Sequence, residues 1–414
     1  PTKVLLSNSG ILDLLKKAST YGIETGPITF SYEKMVQKKN QIVASLAKNL
    51  EGLLQSNQIT IYRGSATFIS PKIVQISDHG PVEGEKIIIA TGSIPASLSF
   101  CPVDGEKILD STSILQITTL PKTLAIIGGG YIGCEFASLF SSLGVKVTII
   151  ESLDSLVAAH EPLISQELKK AFIKKGIEVR TTTKVISVEK KDQVHLTLSS
   201  NEILTTEKVL VAIGRKIDTH DLELHKANIL LTEQGAIQTN EYMETSTPGI
   251  YAIGDVVGKW MLAHVASHQG SIAVSHACGN SKKMDYNAIP SVIFTDPEIA
   301  SVGMTLSQAK ENSLQAVSHL FPFKALGKAI ASSETEGFVL LISEEKTQKV
   351  LGAHMIGKNA STLIGEMTLA IQHNLSIEDI CDTIHPHPTL SEAWLEVAFL
   401  AYGTPLHLPP IKKK

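Results

Sequence analysis

The sequence predicts an α/β fold followed by a separate α+β domain, and three observations lead to that prediction. Residues 123–151 have the pattern of a strand, a glycine turn, a helix and a second strand. Apolar strands also end at Thr91-Gly92-Ser93, Gly214-Arg215 and Gly254-Asp255. From about residue 289 the pattern changes to strand-like runs followed by two helices, which is typical of an α+β domain.

The N-terminal part of the chain has two helical patterns followed by short strands. Residues 1–18 contain an apolar, helix-like stretch, and Ser31 can cap a long second helix. Short apolar runs predict strands at 59–62, 72–76 and 86–90, and the last of them leads directly into Thr91. The predicted apolar face of the second helix consists of Tyr32, Met35, Ile42, Leu46, Leu50 and Leu53.

The central glycine turn has the G-x-G-x-x-G spacing of a dinucleotide-binding site. Gly128 permits the tight turn, Gly130 lets the backbone approach a diphosphate, and Gly133 lets the helix pack close to the strand. The N-terminus of that helix favours an anion. The predicted contact run is Gly128, Gly129, Gly130, Tyr131, Ile132, Gly133 and Cys134. The alternative is a glycine-rich turn without a ligand.

An acid ends the second strand of this unit, as it does in many dinucleotide-binding domains. Glu151 lies about 20 residues beyond the glycines. Its carboxylate can accept hydrogen bonds from a ribose diol and would repel a 2′-phosphate. The sequence therefore predicts NAD rather than NADP.

The remaining elements follow from the same patterns. A helix at 165–175 ends at Gly176 and leads to a strand at 177–180. Residues 411–414 are a predicted solvated tail. The other predicted elements are strands within 209–215 and 248–255, strands at 291–294, 337–342 and 350–356, and helices at 360–373 and 389–401.

Composition excludes several function classes. The 414 residues predict two or three domains, and a net charge of −4 without a basic stripe argues against a nucleic-acid partner. No apolar run is long enough to span a membrane. The four widely spaced cysteines, without a CxxC pair, fit a reduced, intracellular protein, and His264 and His268 lack the carboxylate of a zinc motif, so no metal is predicted.

Two C-terminal motifs connect these elements to a known family. Residues 294–303 (Phe-Thr-Asp-Pro-Glu-Ile-Ala-Ser-Val-Gly) and 385–392 (His-Pro-His-Pro-Thr-Leu-Ser-Glu) are similar to the start of the dimerisation domain and to the catalytic tail of the two-dinucleotide flavoprotein disulfide reductases. The resemblance covers essentially the whole chain. Residues 335–338 and 261–264 resemble the dihydrolipoamide dehydrogenases of that family in particular.

One departure from the family pattern is large. Family members begin with a strand and a G-x-G-x-x-G turn for FAD, followed by a C-x4-C redox disulfide and Ile-Pro-Ser/Thr-Lys. This chain opens with Pro1-Thr2-Lys3. The resemblance therefore implies an N-terminally truncated form that lacks the first βαβ unit and both redox cysteines, and such a chain is expected to be inactive.

The resemblance implies two Rossmann-like domains, the first incomplete, and a C-terminal α+β domain. The implied segments are an FAD-binding domain at 1–118, an NAD-binding domain at 119–243, a return segment of the FAD domain at 244–287 and a dimerisation domain at 288–414. The implied reaction is the oxidation of dihydrolipoamide by NAD⁺, with electrons passing through the redox disulfide and FAD.

Site residues follow from the same resemblance. His387 corresponds to the base that takes the substrate thiol proton, oriented by Glu392, whereas His385 is expected to face elsewhere. Lys3 corresponds to a lysine near flavin N5, paired with Glu135. The other implied FAD contacts are Ala66, Thr91, Gly92, Ser93, Asp255, Met261, Leu262, Ala263 and His264, and the NAD contacts include Val185 and Gly214.

The resemblance also implies partners and leaves alternatives open. It implies a homodimer that acts on lipoyl domains of 2-oxo acid dehydrogenase complexes or of the glycine cleavage system, in the bacterial cytoplasm or in the mitochondrial matrix of a eukaryote. A different disulfide reductase is one alternative, but Glu151 argues against NADPH users and His387 against a transhydrogenase. A non-catalytic chain that binds NAD and dimerises is another.

Overall fold

The computed structural model describes residues 1–409, and residues 410–414, with the predicted tail, lie outside the described part. The chain forms two compact units, each assembled from segments that are distant in sequence. Of the described residues, the first unit contains 1–40, 97–214 and 287–409, and the second contains 41–96 and 215–286.

The described residues form ten α-helices and twenty strands, joined by short 3₁₀ turns. The helices are α1 (Thr2–Lys16), α2 (Tyr32–Ser56), α3 (Tyr131–Ser142), α4 (Pro162–Lys174), α5 (Ala263–Ala277), α6 (Leu306–Glu311), α7 (Gly327–Ala331), α8 (Ala360–Gln372), α9 (Ile377–Asp382) and α10 (Glu392–Ala401). The strands are β1 (Ala66–Ser70), β2 (Ile73–Ile76), β3 (Gly80–Glu83), β4 (Ile87–Ile89), β5 (Ile94–Pro95), β6 (Ile108–Leu109), β7 (Thr123–Ile127), β8 (Lys146–Ile150), β9 (Glu178–Arg180), β10 (Val185–Lys190), β11 (Val194–Leu198), β12 (Ile203–Thr206), β13 (Lys208–Val211), β14 (Arg215–Lys216), β15 (Ile250–Ala252), β16 (Ser291–Ile293), β17 (Glu298–Gly303), β18 (Ala316–Pro322), β19 (Phe338–Glu344) and β20 (Val350–Gly357).

A parallel sheet forms the nucleotide module of the first unit. Its strand order is β6-β13-β7-β8-β9, so β7 lies between β13 and β8. β7 is apolar on both faces because both are buried. Leu124 and Ile126 belong to a core that also contains Phe140 of α3, whereas Ala125 and Ile127 belong to a second core beneath β10–β12.

An antiparallel sheet follows in the C-terminal region, as the change of sequence pattern predicts. Its order is β16-β17-β20-β19-β18, and α8 and α10 pack against it. Ile293, Ile299 and Ile356 of this sheet share one hydrophobic core with α3 and α4. That common core explains why the nucleotide module and the C-terminal region form one compact unit. The four predicted domain segments stay a prediction.

The second unit is built from smaller sheets. β1-β2-β3 is antiparallel, β4 pairs in parallel with β15, and β5 pairs with β14. Phe68, Ile89 and Ile250 are buried in its core. The pairing of β4 with β15 places the turns after residues 89 and 252 at the same end of a short parallel ladder.

Two predicted features are wrong. Residues 59–62 form no strand, because the backbone N–H of Ile59 bonds to the Leu54 carbonyl instead of a neighbouring strand. The C-terminal half of the predicted apolar face of α2 is exposed: Leu46, Leu50 and Leu53 are 63%, 58% and 59% exposed, whereas Tyr32 is buried. Periodicity shows which side chains share a face, but burial also needs an element packed against that face.

Candidate functional site

In the glycine turn after β7, two glycines lie in close contact with backbone carbonyl groups. Gly128 has φ +109°, and a Cβ there would collide with the carbonyl of Ala212, which follows β13. A Cβ on Gly133 would collide with the carbonyl of Gly128. Both glycines are therefore required by packing inside the protein, as the motif predicts for the tight turn and the close helix.

Gly130 differs from these two glycines. A Cβ on Gly130 would have no heavy atom within 4 Å, and Gly130 is exposed at the N-terminus of α3. The first-turn N–H groups of a helix have no intrahelical acceptors, so this open space is suited to an anion. The glycine turn thus fits the diphosphate of a dinucleotide.

The next residues of the run have different environments. Tyr131 is 42% exposed, Ile132 is half-buried, and Gly129 lies against the side chains of Leu156 and Glu151. Cys134 is fully buried, and its thiol bonds to the Gly129 carbonyl at 3.3 Å. Burial raises the pKa of the Cys134 thiol, so it acts as a small packed group and not as a nucleophile.

Glu151 connects the second strand to the glycine turn. One carboxylate oxygen accepts the backbone N–H of Gly129 at 2.5 Å. The other accepts the N–H of Leu153 at 2.7 Å and the hydroxyl of Ser152 at 3.2 Å. The side chain is nearly buried, so Glu151 orders the turn in addition to its predicted contact with a ribose diol.

Two further predicted NAD residues lie elsewhere in the same unit. Val185 begins β10, and its side chain is buried in the core beneath β10–β12. Gly214 follows β13 with φ +118° and has open space around it. β13 is the immediate neighbour of β7, so Gly214 leaves the sheet next to the glycine turn.

Lys3 and Glu135 form the ion pair that the resemblance implies. The Lys3 Nζ atom lies 2.5 Å from Glu135 Oε1 and 4.0 Å from the centroid of the Phe294 ring. The same oxygen of Glu135 accepts the backbone N–H of Phe294 at 3.0 Å. The carboxylate is buried on α3 while the lysine is half exposed, so the acid anchors the cation.

In the second unit, the turns after β4 and β15 bring polar side chains together. Ser93 Oγ donates to Asp255 Oδ2 at 2.5 Å. Arg215 Nε donates to Ser93 Oγ at 2.6 Å, and its Nη2 donates to the Ser93 carbonyl at 2.6 Å. Arg215 also lies 3.5 Å from Asp255. Arg215 was not among the predicted site residues, although its Gly-Arg turn was visible in the sequence.

The other predicted FAD residues surround turns and helix ends of the second unit. Gly92 has φ +75° and open space, and Thr91 is exposed beside it. Met261 and Leu262 precede α5, whose first residues are Ala263 and His264. Ala66 begins β1 and is exposed. A glycine turn, an acid and a helix N-terminus are groups that suit a nucleotide cofactor, so this unit fits part of FAD.

The His387–Glu392 pair has the geometry of a base and its orienting acid. His387 Nδ1 lies 2.7 Å from Glu392 Oε1, and the Thr389 N–H donates to Glu392 Oε2 at 2.7 Å. The imidazole is 66% exposed, whereas the carboxylate is nearly buried. Burial alone would raise the pKa of Glu392, but the bonds from Thr389 and His387 hold it below its ordinary value.

His385 has partners of its own outside this pair. Its Nε2 lies 2.8 Å from Glu366 Oε1, its Nδ1 lies 2.9 Å from the Thr383 carbonyl, and the side chain is buried. The hydrogen bond to Glu366 raises the pKa of His385. His385 thus fixes the segment before His387 to α8.

The structure also contains polar groups that the sequence reasoning missed. His407 is paired with the buried Glu396 of α10, and His160 and His354 lie near each other beside Ser301. The only sequence signal for the first pair is the spacing of two glutamates, at 392 and 396, on one helix. The described residues hold no group of three or more potential metal ligands, and no helix among them could cross a membrane.

Comparisons with known proteins agree with this arrangement. Residues 1–270 match the family described as pyridine nucleotide-disulphide oxidoreductase, and residues 289–398 match its dimerisation domain. The chain is 45% identical to a dihydrolipoyl dehydrogenase of Chlamydia pneumoniae over 99% of its own length and 89% of the relative's. It is 37% identical to the enzyme of that name from Geobacillus stearothermophilus, over 99% of its length and 88% of the relative's.

Solved structures are similar at lower identity. LpdA from Mycobacterium tuberculosis superposes with a TM-score of 0.89 at 26% identity, over 96% of this chain and 88% of that one. The HOCl-induced flavoprotein disulfide reductase RclA from Escherichia coli gives a TM-score of 0.86 at 26% identity, over 97% of this chain and 89% of that one.

Proposed function

The chain belongs to the pyridine nucleotide-disulphide oxidoreductase family, and from that membership we propose that it oxidises dihydrolipoamide with NAD⁺. The observation that carries the proposal is the exposed His387 imidazole held by the buried carboxylate of Glu392. A dithiol substrate reacts as a thiolate, so its oxidation needs a base of this kind.

The proposed reaction is balanced as a two-electron oxidation. Dihydrolipoamide and NAD⁺ give lipoamide, NADH and one proton. When bound, FAD and NAD⁺ supply the electron-accepting chemistry, and the residues described above supply binding, orientation and proton transfer.

His387 is assigned the proton transfer. In its neutral form the imidazole carries a proton on one ring nitrogen, and the 2.7 Å contact to Glu392 selects Nδ1 for that proton. Nε2 is then the free base, and it takes the proton of the substrate thiol. Glu392 stabilises the resulting imidazolium, because a nearby carboxylate favours the charged form of histidine.

The nucleotide contacts are assigned to the two units separately. In the first unit, the glycine turn would hold the diphosphate of NAD and Glu151 its adenosine ribose, with Val185 and Gly214 on either half of the molecule. In the second unit, Asp255 and the N-terminus of α5 would hold FAD, and Arg215 would fix Asp255 through Ser93.

The disulfide exchange step is not assigned to a residue of this chain. Cys101, Cys134, Cys278 and Cys381 are all free, and no two of them have C-x4-C spacing. One competing proposal is that the 414 residues bind NAD and dimerise without turning over a dithiol.

One assay separates the two proposals. The purified protein is given dihydrolipoamide and NAD⁺ or NADP⁺, NADH formation is followed by absorbance, and bound flavin is measured in the same sample. Turnover with NAD⁺ supports the dehydrogenase. Tight NAD binding without turnover supports the non-catalytic chain, and turnover with NADP⁺ or another disulfide substrate in place of dihydrolipoamide would overturn the substrate assignment.

The dimerisation domain makes a homodimer the expected assembly. We further propose that lipoyl domains of 2-oxo acid dehydrogenase complexes or of the glycine cleavage system present the substrate. Bacterial relatives carry the dihydrolipoyl dehydrogenase name, and on that basis we propose the cytoplasm as the location of the protein. A lipoylated domain that is reoxidised no faster than free dihydrolipoamide would count against the lipoyl-domain partner.

A further inference from the structure

A second histidine–glutamate pair lies on the same helix as Glu392. His407 Nδ1 lies 2.8 Å from Oε1 of Glu396, which follows Glu392 by one helical turn on α10. Residues four apart on a helix lie on the same side, with Cβ atoms about 5–6 Å apart. Each glutamate of this face thus holds one histidine, and both histidines come from outside the helix.

Glu396 is completely enclosed by the chain itself. It is 1% exposed, and its second oxygen accepts the backbone N–H groups of Leu406 and His407 at 3.1 Å each. A buried carboxylate is unfavourable unless it is paired and hydrogen-bonded. With both oxygens engaged by residues 406–407, Glu396 is not a site for an outside ligand. Glu396 therefore acts on the protein residues around it.

The nearest acidic neighbour along the helix is Glu392. Two carboxylates at this spacing repel each other, which would favour protonation of one of them. An unbalanced Glu396 anion would also favour the charged form of His387, in addition to the effect of Glu392. The Glu396 charge is balanced when His407 carries a proton, and the charge of His407 acts in the direction that lowers the pKa of Glu392, after the larger effects of burial and of the bonds from Thr389 and His387.

Other charged groups surround the same helix. His385 and Glu366 form their own pair next to Glu392. The helix packs against α9, β18 and β19. The titratable residues on those three elements are Glu378, Asp379, Cys381 and Asp382 of α9, His319 of β18 and Glu344 of β19. Glu396 is paired with His407 and with none of these groups in the described residues, so His407 is the group whose removal leaves the Glu396 charge unbalanced.

We propose that Glu396 and His407 are a positioning pair for the His387–Glu392 base: His407 balances the charge of Glu396, so that Glu392 is the one unbalanced carboxylate acting on His387, and the pair clamps residues 406–407 to α10. The catalytic meaning of this pair rests on the proposed function, but its electrostatic effect on His387 does not. The pair acts on the base through its charge, and neither of its residues is assigned to the reacting atoms.

The test is a titration of His387 by NMR in the whole protein with ¹³C-labelled histidine, using His387→Gln to assign the resonance. In His407→Gln the anion of Glu396 is left unbalanced, so the midpoint of His387 should rise by roughly half a unit to one unit. In the double variant Glu396→Gln/His407→Gln both charges are gone, so the midpoint should return to the wild-type value. His220→Gln removes an exposed histidine paired with Asp221 and is the matched control.

The double variant distinguishes two explanations of a shift in the His387 midpoint: the loss of the charge that balances Glu396, or the loss of a structural contact between residues 406–407 and α10. If His407→Gln leaves the His387 midpoint unchanged, or if the double variant shifts it as far as the single variant does, the proposal is overturned. Glu396→Gln alone keeps an acceptor for the two backbone N–H groups and should not raise the midpoint. The titration is read without substrate, so a protein that shows these shifts but does not oxidise dihydrolipoamide would disprove the proposed function and leave the positioning pair intact.

Discussion

The glycine turn and the C-terminal dyad each depend on a nearly buried glutamate, but the two glutamates use their oxygens differently. Glu151 binds local donors with both oxygens, from Gly129, Ser152 and Leu153, so it acts as part of the backbone framework. Glu392 gives one oxygen to the Thr389 N–H and the other to an exposed imidazole.

The difference shows how the same residue type fixes a backbone turn in one place and orients an imidazole in the other. A carboxylate that accepts hydrogen bonds only from backbone N–H groups and a neighbouring hydroxyl fixes the conformation of that backbone, which is then preorganised for a ligand. A carboxylate that has one titratable partner instead controls the tautomer and the charge of that partner. The following predictions test this comparison, beginning with the largest expected effect.

Replacing His387, the partner of Glu392, should slow the oxidation of the dithiol but should not change nucleotide binding. In protein extended before Pro1 by a segment with G-x-G-x-x-G and C-x4-C, His387→Gln should slow the thiol step by roughly 10²–10⁴-fold, the usual contribution of a positioned base, while NAD affinity stays unchanged. Stopped-flow reduction with dihydrolipoamide and a separate NAD titration measure the two quantities. His385→Gln is the control from the same segment, because His385 is buried against Glu366 and carries no exposed base. An equal loss in both variants would show that the segment, and not the base, is responsible.

The buried histidines His160 and His354 should make the stability of the fold depend on pH. Burial lowers the pKa of both His160 and His354 to about 4, and His354 Nδ1 has no partner within the described residues. Because the unfolded chain binds these protons near its ordinary pKa of about 6.5, stability should be full above that pH and fall as the pH drops toward 4.

For His354 alone the expected loss is about 2 kcal/mol between about pH 7.5 and about pH 5. Urea unfolding at the two pH values measures it. His354→Gln should flatten the acid limb of the stability profile, whereas the exposed His220→Gln should not. A wild-type profile that is flat over this range would disprove the assignment.

Alanine substitutions at two glycines of the turn should affect different properties, one the stability of the fold and the other the affinity for NAD. Gly133→Ala places a Cβ against the Gly128 carbonyl and should lower the free energy of unfolding by about 1–3 kcal/mol or more. Gly130→Ala meets no protein atom within 4 Å and should leave stability nearly unchanged, while NAD affinity falls by about tenfold because the methyl group occupies the diphosphate space. Thermal unfolding and calorimetric titration distinguish the two variants. Equal destabilisation by both would contradict the open space found at Gly130.

The smallest effect is expected at Glu151. Glu151→Gln keeps an acceptor for the Gly129 N–H but removes the charge, so the preference for NAD over NADP should narrow by about tenfold with little change in stability. Glu151→Ala should in addition lower stability, because it leaves the Gly129 and Leu153 N–H groups without their acceptor. If wild-type protein binds both nucleotides equally, the cofactor assignment is wrong.

Much of the nucleotide module was predictable because its signals are local. The glycine spacing, the apolar strands around it and the helix that ends before Gly144 all depend on neighbouring residues. The strands and helices predicted after residue 289 were likewise found within a few residues of their predicted bounds. The strand predicted at 59–62 was wrong because a strand needs a hydrogen-bonded neighbour, which local sequence does not supply. The buried face predicted for α2 was wrong in its C-terminal half because an apolar stripe does not specify which element packs against it.

The sequence by itself determined the glycine turn and the acid after the second strand, since each follows from a short, contiguous pattern. The role of His387, with its glutamate five residues on, was implied only by the family resemblance. Only the tertiary structure decided which partners those residues have. It joined Ser93 to Arg215 and Asp255, Lys3 to Glu135, and His407 to Glu396. These contacts were not predictable from spacing, except where the family resemblance implied one, because hydrogen bonds between distant segments depend on how strands and helices pack and not on local preference.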